Sequence, residues 1–195
     1  MHSATPINPD DQTGSADWSR VARRVRVPLS FAFALLYLWL ARPTRASILI
    51  GALVVIPGLV IRALASGYVQ KNERLTIGGP YAYTRNPLYL GSIVLATGFA
   101  IAARSWWIIG GMLAIFIGIY LPVIRAEEAF LGQQFPEFEA YASRVPRLFP
   151  RFSTVRNRGG AFSWELYRKH REYNAIFGTI FMLAILASKL LWSSN

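Results

Sequence analysis

The sequence predicts an all-α integral membrane bundle of about five transmembrane helices. Hydrophobic residues make up 53% of its 195 residues and the mean hydropathy is +0.32, which favours a membrane protein over a soluble domain. The apolar residues form five separate runs, and most basic residues lie between them. Alternating apolar runs and basic links are typical of a chain that crosses a bilayer repeatedly.

The five apolar segments each predict a helix, over residues 27–41, 46–65, 88–103, 106–124 and 175–192. A bilayer core needs about 20 apolar residues per helix, with roughly 17 as the lower limit. The second and fourth segments are long enough, whereas the first and third are short, so the expected number is four or five. Residues 1–19 are polar and predict a disordered N-terminal tail, and residues 20–195 predict a single membrane domain.

The distribution of basic residues predicts the orientation in the membrane. Sixteen of the 21 Lys and Arg residues lie before the first segment, between the second and third, or between the fourth and last; three lie on the opposite side. The positive-inside rule therefore places the N-terminus and both long links in the cytoplasm. Arginine outnumbers lysine eighteen to three, which favours a GC-rich bacterial source and hence a bacterial cytoplasmic membrane.

Residues 160–174, just before the last segment, mix aromatic and basic side chains. Residues 162–173 read FSWELYRKHREY. Trp, Tyr and basic residues concentrate where a membrane meets water. An interfacial helix is therefore predicted here, ahead of a last transmembrane helix over residues 175–192.

Composition excludes several classes of function. The chain has no cysteine, which excludes disulfides, thiolate metal sites and cysteine nucleophiles. Its two histidines, His2 and His170, are far apart in sequence, so no metal centre is predicted. The basic residues form no single stripe, so nucleic acid is not an expected partner. The expected partner is the lipid bilayer.

Two predicted cytoplasmic links contain more aromatic, charged and hydrogen-bonding side chains than a simple connection between helices needs. Residues 70–91 read QKNERLTIGGPYAYTRNPLYLG, and residues 125–150 contain the adjacent Glu127 and Glu128. Asn86 and Pro87 also suit a helix start, as cap and first residue. Adjacent glutamates on a helix point about 100° apart, so one is expected to face inward; the structural alternative is an ion pair with a basic residue such as Arg125.

The ordered set GPYAYTRNPLY, a helical hairpin, EEAFL and YASRVPRLFP resembles the superfamily of isoprenylcysteine carboxyl methyltransferases and phospholipid methyltransferases. The resemblance covers residues 70–150. It implies a membrane-embedded methyltransferase with a cytoplasmic pocket for S-adenosylmethionine, reached by a lipophilic or small acceptor.

By position, the resemblance makes Arg85, Asn86 and Glu127 candidate catalytic residues and implies no metal ligand. The residues expected to contact the cofactor are Gln70, Leu75, Thr76, Tyr81, Asn86, Pro87, Tyr89, Glu127 and Glu128. Tyrosine rings attract a sulfonium by cation–π interaction, and a glutamate binds an ammonium or ribose group.

Two positions depart from the family pattern. The family has histidine where this chain has Asn86, which donates a hydrogen bond but does not titrate near neutral pH. Isoprenylcysteine members place an arginine one turn before the glutamates, where this chain has Val123, with Arg125 nearer. A base at position 86 and a prenylated-protein substrate are therefore not expected.

Two other functions remain open from the sequence. One is an NADPH-dependent membrane reductase of the sterol-reductase type, although no GxGxxG motif is present. The other is a non-catalytic membrane scaffold or transporter fragment. The acceptor atom could belong to a thiol, amine, carboxylate or phenol, and the sequence gives no oligomeric state.

Overall fold

The computed structural model describes residues 32–70, 73–151 and 160–193, and every regular element within these ranges is helical. The helices are α1 (residues 32–40), α2 (Arg45–Tyr68), α3 (Pro87–Ala103), α4 (Trp106–Gln134), α5 (Phe138–Ala142), α6 (Trp164–Lys169) and α7 (Tyr173–Ser193). The predicted all-α class is confirmed. The tail predicted over residues 1–19 and the start of the first apolar segment lie outside the described residues.

Within the described ranges, three helices are long and apolar enough to cross a membrane: α2, α4 and Tyr173–Trp192 of α7. The apolar helix α3 has 17 residues, at the lower limit for a span, and α1 is described only from residue 32. The predicted integral membrane helical bundle is thus confirmed, with three spans by length and composition and two shorter members.

Helix α4 is longer than the apolar segment that predicted it. The apolar run ends at Ile124, but the helix continues to Gln134. Most residues after Arg125 are alanine, glutamate, leucine or glutamine, which are strong helix formers. Glu127 and Glu128 therefore extend from a continuous helix and not from a loose link.

Part of α4, Phe116–Tyr120, is a π turn. The N–H of Leu121 donates to the carbonyl of Phe116, five residues earlier. Pro122 follows, and proline has no N–H and crowds the carbonyl four residues before it. A wider turn relieves that crowding, and π turns of this kind are frequent at functional sites.

Helices α2 and α3 pack most closely where glycine faces glycine. A Cβ atom on Gly98 would lie 2.7 Å from the carbonyl oxygen of Gly51, and one on Gly91 would lie 2.9 Å from that of Gly58. These distances leave no room for a side chain, so the two backbones touch. Small residues allow this close approach between membrane helices.

Replacing Gly98 with alanine should lower the free energy of unfolding by about 1–3 kcal/mol, the usual cost of overpacking. The new Cβ would meet Val55 Cγ2 at 2.6 Å as well as the α2 backbone. Gly110→Ala in α4 is the matched control, because a Cβ there meets nothing within 4 Å. Thermal unfolding of both variants in detergent measures the difference. Equal midpoints would contradict the close contact.

The segment that leads to α7 packs against the end of α2. The N–H of Ser163 donates to the carbonyl of Gly67 at 2.9 Å, and His170 Nδ1 lies 3.0 Å from the carbonyl oxygen of Ser66. Arg62 Nη2 donates to both carboxylate oxygens of Glu172, at 2.7 and 2.9 Å. These contacts fix α6 and the start of α7 beside α2. Within the predicted interfacial helix of residues 160–174, α6 covers Trp164–Lys169, and its interfacial position stays a prediction.

Candidate functional site

The two segments singled out in the sequence, which were predicted to be cytoplasmic, dock against each other. The N–H of Arg85 donates to the carbonyl of Pro146 at 2.9 Å, and Thr84 Oγ1 donates to the carbonyl of Leu148 at 3.0 Å. The hydroxyl of Tyr141 donates to the carbonyl of Tyr81 at 2.7 Å. The start of α3 and the chain beyond α4 therefore form two walls of one cleft.

Glu128 is the buried acidic centre of this contact. Asn86 Nδ2 and Arg147 Nε each donate to it at 2.8 Å. Arg85 Nε lies 3.4 Å from the same carboxylate but lacks hydrogen-bond geometry, so this buried nitrogen has an ion-pair partner without a hydrogen bond among the described residues. The ion-pair alternative is thus realised for Glu128 with Arg147 and Arg85, and among the described residues Arg125 is not a partner of Glu128.

Asn86 has a role that the helix-start interpretation did not predict. Pro87 occupies the first turn of α3 as expected, and Asn86 stands at the cap position, but its side chain makes no cap hydrogen bond. The amide instead binds Glu128 and the carbonyl of Arg147, the latter at 3.0 Å. The side-chain cap was therefore wrong: a cap would need Asn86 Oδ1 to accept from a backbone N–H of α3, whereas the side chain is oriented by the two bonds that its Nδ2 donates.

Glu127 faces a different environment from Glu128. It is exposed, and the hydroxyl of Tyr89 donates to its Oε2 at 3.1 Å. The ring of Tyr89 also meets the ring of Tyr120 edge-on, with centroids 6.0 Å apart. One glutamate of the pair is thus buried and one is exposed, as the helical geometry predicts.

Arg85, Asn86, Glu127 and Glu128 line one cavity of about 450 Å³, a volume typical of small-molecule sites. Every candidate residue from the sequence lines it: Gln70, Leu75, Thr76, Tyr81, Arg85, Asn86, Pro87, Tyr89, Glu127 and Glu128. Three arginines and three glutamates contribute to the lining: Arg62, Arg74, Arg85, Glu127, Glu128 and Glu172. The cavity can therefore hold a ligand that carries both positive and negative groups.

Two tyrosines, Tyr81 buried and Tyr141 partly buried, form an uncharged part of the cavity wall. Burial raises the pKa of Tyr81, and the charge of Glu127 raises it further. Burial likewise raises the pKa of Tyr141. Both side chains therefore keep their protons at physiological pH and stay uncharged, and the Tyr141 proton is donated to the carbonyl of Tyr81.

Three of the lining residues that sequence reasoning missed carry a polar or charged group that bears on the site: Arg62, Tyr120 and Glu172. An arginine within a membrane helix is costly unless it is paired, which is a signal that Arg62 has a buried partner. Tyr120 is a tyrosine at the end of a long apolar run, just before a proline. Glu172 gives no such signal, since it lies in a stretch of mixed charge.

A second, apolar groove of about 590 Å³ lies between α3 and α4. Its walls include Ile93, Leu113 and Phe116, and Phe149 stands at one side. The groove and the polar cavity share two lining residues, Ser92 and Tyr120. A molecule in the apolar groove can thus extend a polar end toward the cavity.

Comparison with protein families supports the resemblance seen in the sequence. Residues 48–137 match the family model described as phospholipid methyltransferase, which belongs to the isoprenylcysteine carboxyl methyltransferase-like superfamily of integral membrane methyltransferases. The match runs from within α2 to just beyond α4. It includes the cavity residues of α2, α3 and α4, and it excludes Tyr141, Arg147 and Glu172.

Two curated bacterial proteins are similar to this chain. The cobalt-zinc-cadmium resistance protein CzcN of Cupriavidus metallidurans is 36% identical over 98 residues, 50% of this chain and 44% of that protein. The nickel-cobalt-cadmium resistance protein NccN of Alcaligenes xylosoxydans xylosoxydans is 34% identical over 114 residues, 57% of this chain and 54% of that protein. The chain thus spans about half the length of these relatives. No solved structure matches it.

No metal site stands out within the cavity or elsewhere in the described ranges. Among residues 32–70, 73–151 and 160–193, no group of three or more His, Cys, Asp or Glu side chains is placed to hold a metal ion. The metal-resistance names of the relatives therefore have no counterpart in a metal-ligand cluster in this part of the chain.

Proposed function

We propose that this chain is an integral membrane methyltransferase that uses S-adenosylmethionine and methylates a lipophilic or small acceptor at the cytoplasmic face of a bacterial membrane. The main support is the convergence of all ten candidate residues on one polar cavity that adjoins an apolar groove. The family match over residues 48–137 agrees with this proposal.

The residues of the cavity fit the proposed cofactor. When bound, S-adenosylmethionine would supply a methyl group on a positively charged sulfur. The faces of Tyr89 and Tyr120 suit a cation, and Glu127 keeps one carboxylate oxygen without a hydrogen bond from the described residues. That oxygen is suited to an ammonium or a ribose hydroxyl.

Glu128 and Asn86 are better suited to positioning than to contact. Glu128 already accepts from Asn86 and Arg147, and Asn86 donates both to Glu128 and to a carbonyl. We therefore assign them the task of holding the two cavity walls together. Because the chain's own groups need only bind, orient and exclude water, the absence of a titrating histidine at position 86 does not prevent transfer.

The apolar groove supports a lipophilic acceptor. Its walls offer little hydrogen bonding, and a molecule held there would present its polar end beside Tyr120 and Ser92. The two relatives are named as metal-resistance proteins. If this chain has a similar physiological role, the methylated lipid or small molecule would be the product that confers resistance.

Binding of S-adenosylhomocysteine to the purified protein in detergent tests the proposal. Calorimetry should detect binding to the wild type, and Glu127→Ala or Tyr89→Ala should weaken it by about tenfold or more, the effect of one charge-assisted hydrogen bond or aromatic contact. The matched control is Glu139→Ala, which removes an exposed glutamate from α5 outside the cavity.

NADPH provides the competing ligand for the reductase alternative. It should neither bind nor displace S-adenosylhomocysteine at the cavity. Binding of NADPH without binding of S-adenosylhomocysteine would replace the methyltransferase by the reductase.

A further inference from the structure

In the part of the chain that the structure describes, the polar cavity and the apolar groove share two lining residues, Ser92 and Tyr120. If a donor occupies the cavity and an acceptor the groove, the reacting atoms must come together at this junction. The side chains there are therefore the ones that can touch the acceptor's reactive end.

The hydroxyl groups of Ser92 and Tyr120 differ in their hydrogen bonds. The Ser92 hydroxyl donates to the carbonyl of Leu88 at 3.0 Å and accepts from Arg62 Nη1 at 2.6 Å. The Tyr120 hydroxyl makes no hydrogen bond with any residue in the described ranges. Tyr120 is thus the junction residue whose polar group is open to a ligand.

The position of Tyr120 is fixed by its neighbours. Its ring stacks on Phe116 with centroids 6.5 Å apart and meets Tyr89 edge-on at 6.0 Å. The π turn ends at Tyr120, and Glu127 follows seven residues later, about two helical turns along the same face. The π turn therefore determines the face of α4 on which Tyr120 and Glu127 both lie, and that face lines the cavity.

We propose that Tyr120 is the acceptor-binding residue of the site: its hydroxyl hydrogen-bonds the nucleophilic nitrogen, oxygen or sulfur of an amphiphile whose apolar body lies in the groove. This inference rests on the proposed function. In the transfer, a lone pair of the acceptor atom forms the bond to the methyl carbon as the carbon–sulfur bond breaks and its electron pair stays on sulfur. A thiol, amine or phenol acceptor then releases its proton to water, and a carboxylate has none to lose.

The first experiment compares Tyr120→Phe with the wild type. Four probes with the same twelve-carbon tail cover the open acceptor classes: dodecanethiol, dodecylamine, dodecanoate and 4-dodecylphenol. The wild type should transfer a labelled methyl group to at least one of them. Tyr120→Phe keeps the ring contacts, so its affinity for S-adenosylhomocysteine should stay within about twofold while transfer falls by about tenfold, as loss of one hydrogen bond implies.

The outcomes separate this inference from the function on which it rests. No binding of S-adenosylhomocysteine by the wild type would remove both. Binding without transfer to any of the four probes, or equal transfer by Tyr120→Phe, would overturn the role of Tyr120 and leave the cofactor site standing.

A second experiment tests the junction itself, with no acceptor required. Because the chain has no cysteine, Tyr120→Cys introduces a single thiol. S-adenosylhomocysteine at ten times its Kd should slow the reaction of that thiol with N-ethylmaleimide by about tenfold, since about one site in ten remains open. Phe149→Cys, which lines the groove but not the cavity and is 80% exposed, should react at an unchanged rate. Lack of protection in a Tyr120→Cys protein that still binds the ligand would place Tyr120 away from the donor.

Discussion

Replacing Glu128 with alanine should abolish binding of S-adenosylhomocysteine and lower the free energy of unfolding by about 3–5 kcal/mol, as expected when a buried ion pair loses one partner. Glu128 is 7% exposed and accepts hydrogen bonds from Asn86 and Arg147. Its loss would leave Arg85, whose side chain is 14% exposed, with no counter-charge in contact. The walls that form the cavity would then lose their common acceptor.

Two further variants show whether the loss of stability and binding in Glu128→Ala comes from the missing charge or from the missing side-chain volume. Glu128→Gln keeps the size and one carbonyl acceptor, so we expect a smaller destabilisation of about 1–3 kcal/mol, that of an imperfectly satisfied polar group. Glu139→Ala removes a glutamate that is exposed on α5 and should leave stability and binding unchanged. Thermal unfolding and calorimetry in detergent provide both measurements. Wild-type stability in Glu128→Ala would mean that this network does not hold the walls.

Replacing Glu172 with alanine should lower the free energy of unfolding by about 3 kcal/mol, the lower end of the range for breaking a buried pair. The side chains of Arg62 and Glu172 are 23% and 14% exposed, so water screens the pair only in part. Arg62 would keep its bond to Ser92 but lose the carboxylate that neutralises it. The start of α7 would also lose its main polar attachment to α2.

The double variant Arg62→Met with Glu172→Leu tests whether the fold needs the two charges themselves or only needs neither charge to be left unpaired. Replacing both charges by apolar side chains of similar size should restore most of the lost stability, since the cost of an unpaired charge disappears. Thermal unfolding of the wild type and of the single and double variants measures this difference. A double variant as unstable as Glu172→Ala would show that packing, and not an unpaired Arg62, is responsible.

The membrane class could be predicted because it depends on composition and run length, which are local properties. The ends of helices were harder to predict. Counting apolar residues ended the fourth segment at Ile124, whereas helix propensity carries α4 on to Gln134. A hydrophobic run marks where the chain meets lipid, and backbone hydrogen bonding continues beyond that point.

Ten residues of the cavity lining could be singled out from the resemblance, but not their partners. Both glutamates were singled out, yet only the fold shows that Glu128 is buried against Asn86 and Arg147 while Glu127 is exposed beside Tyr89. These pairings join positions 19 to 42 residues apart. Spacing along one sequence cannot specify such contacts, because they depend on how two distant segments dock.

The contact between glycines of α2 and α3 has a mechanical consequence. Helices whose backbones touch cannot tilt or slide separately, so a bilayer that thickens or thins should move this pair as a unit. The polar cavity begins where the pair ends, and both helices contribute to its lining. The shape of the cavity should therefore change little with lipid composition. Helix α4, on the other side of the groove, would be the element that moves to fit acceptors of different length.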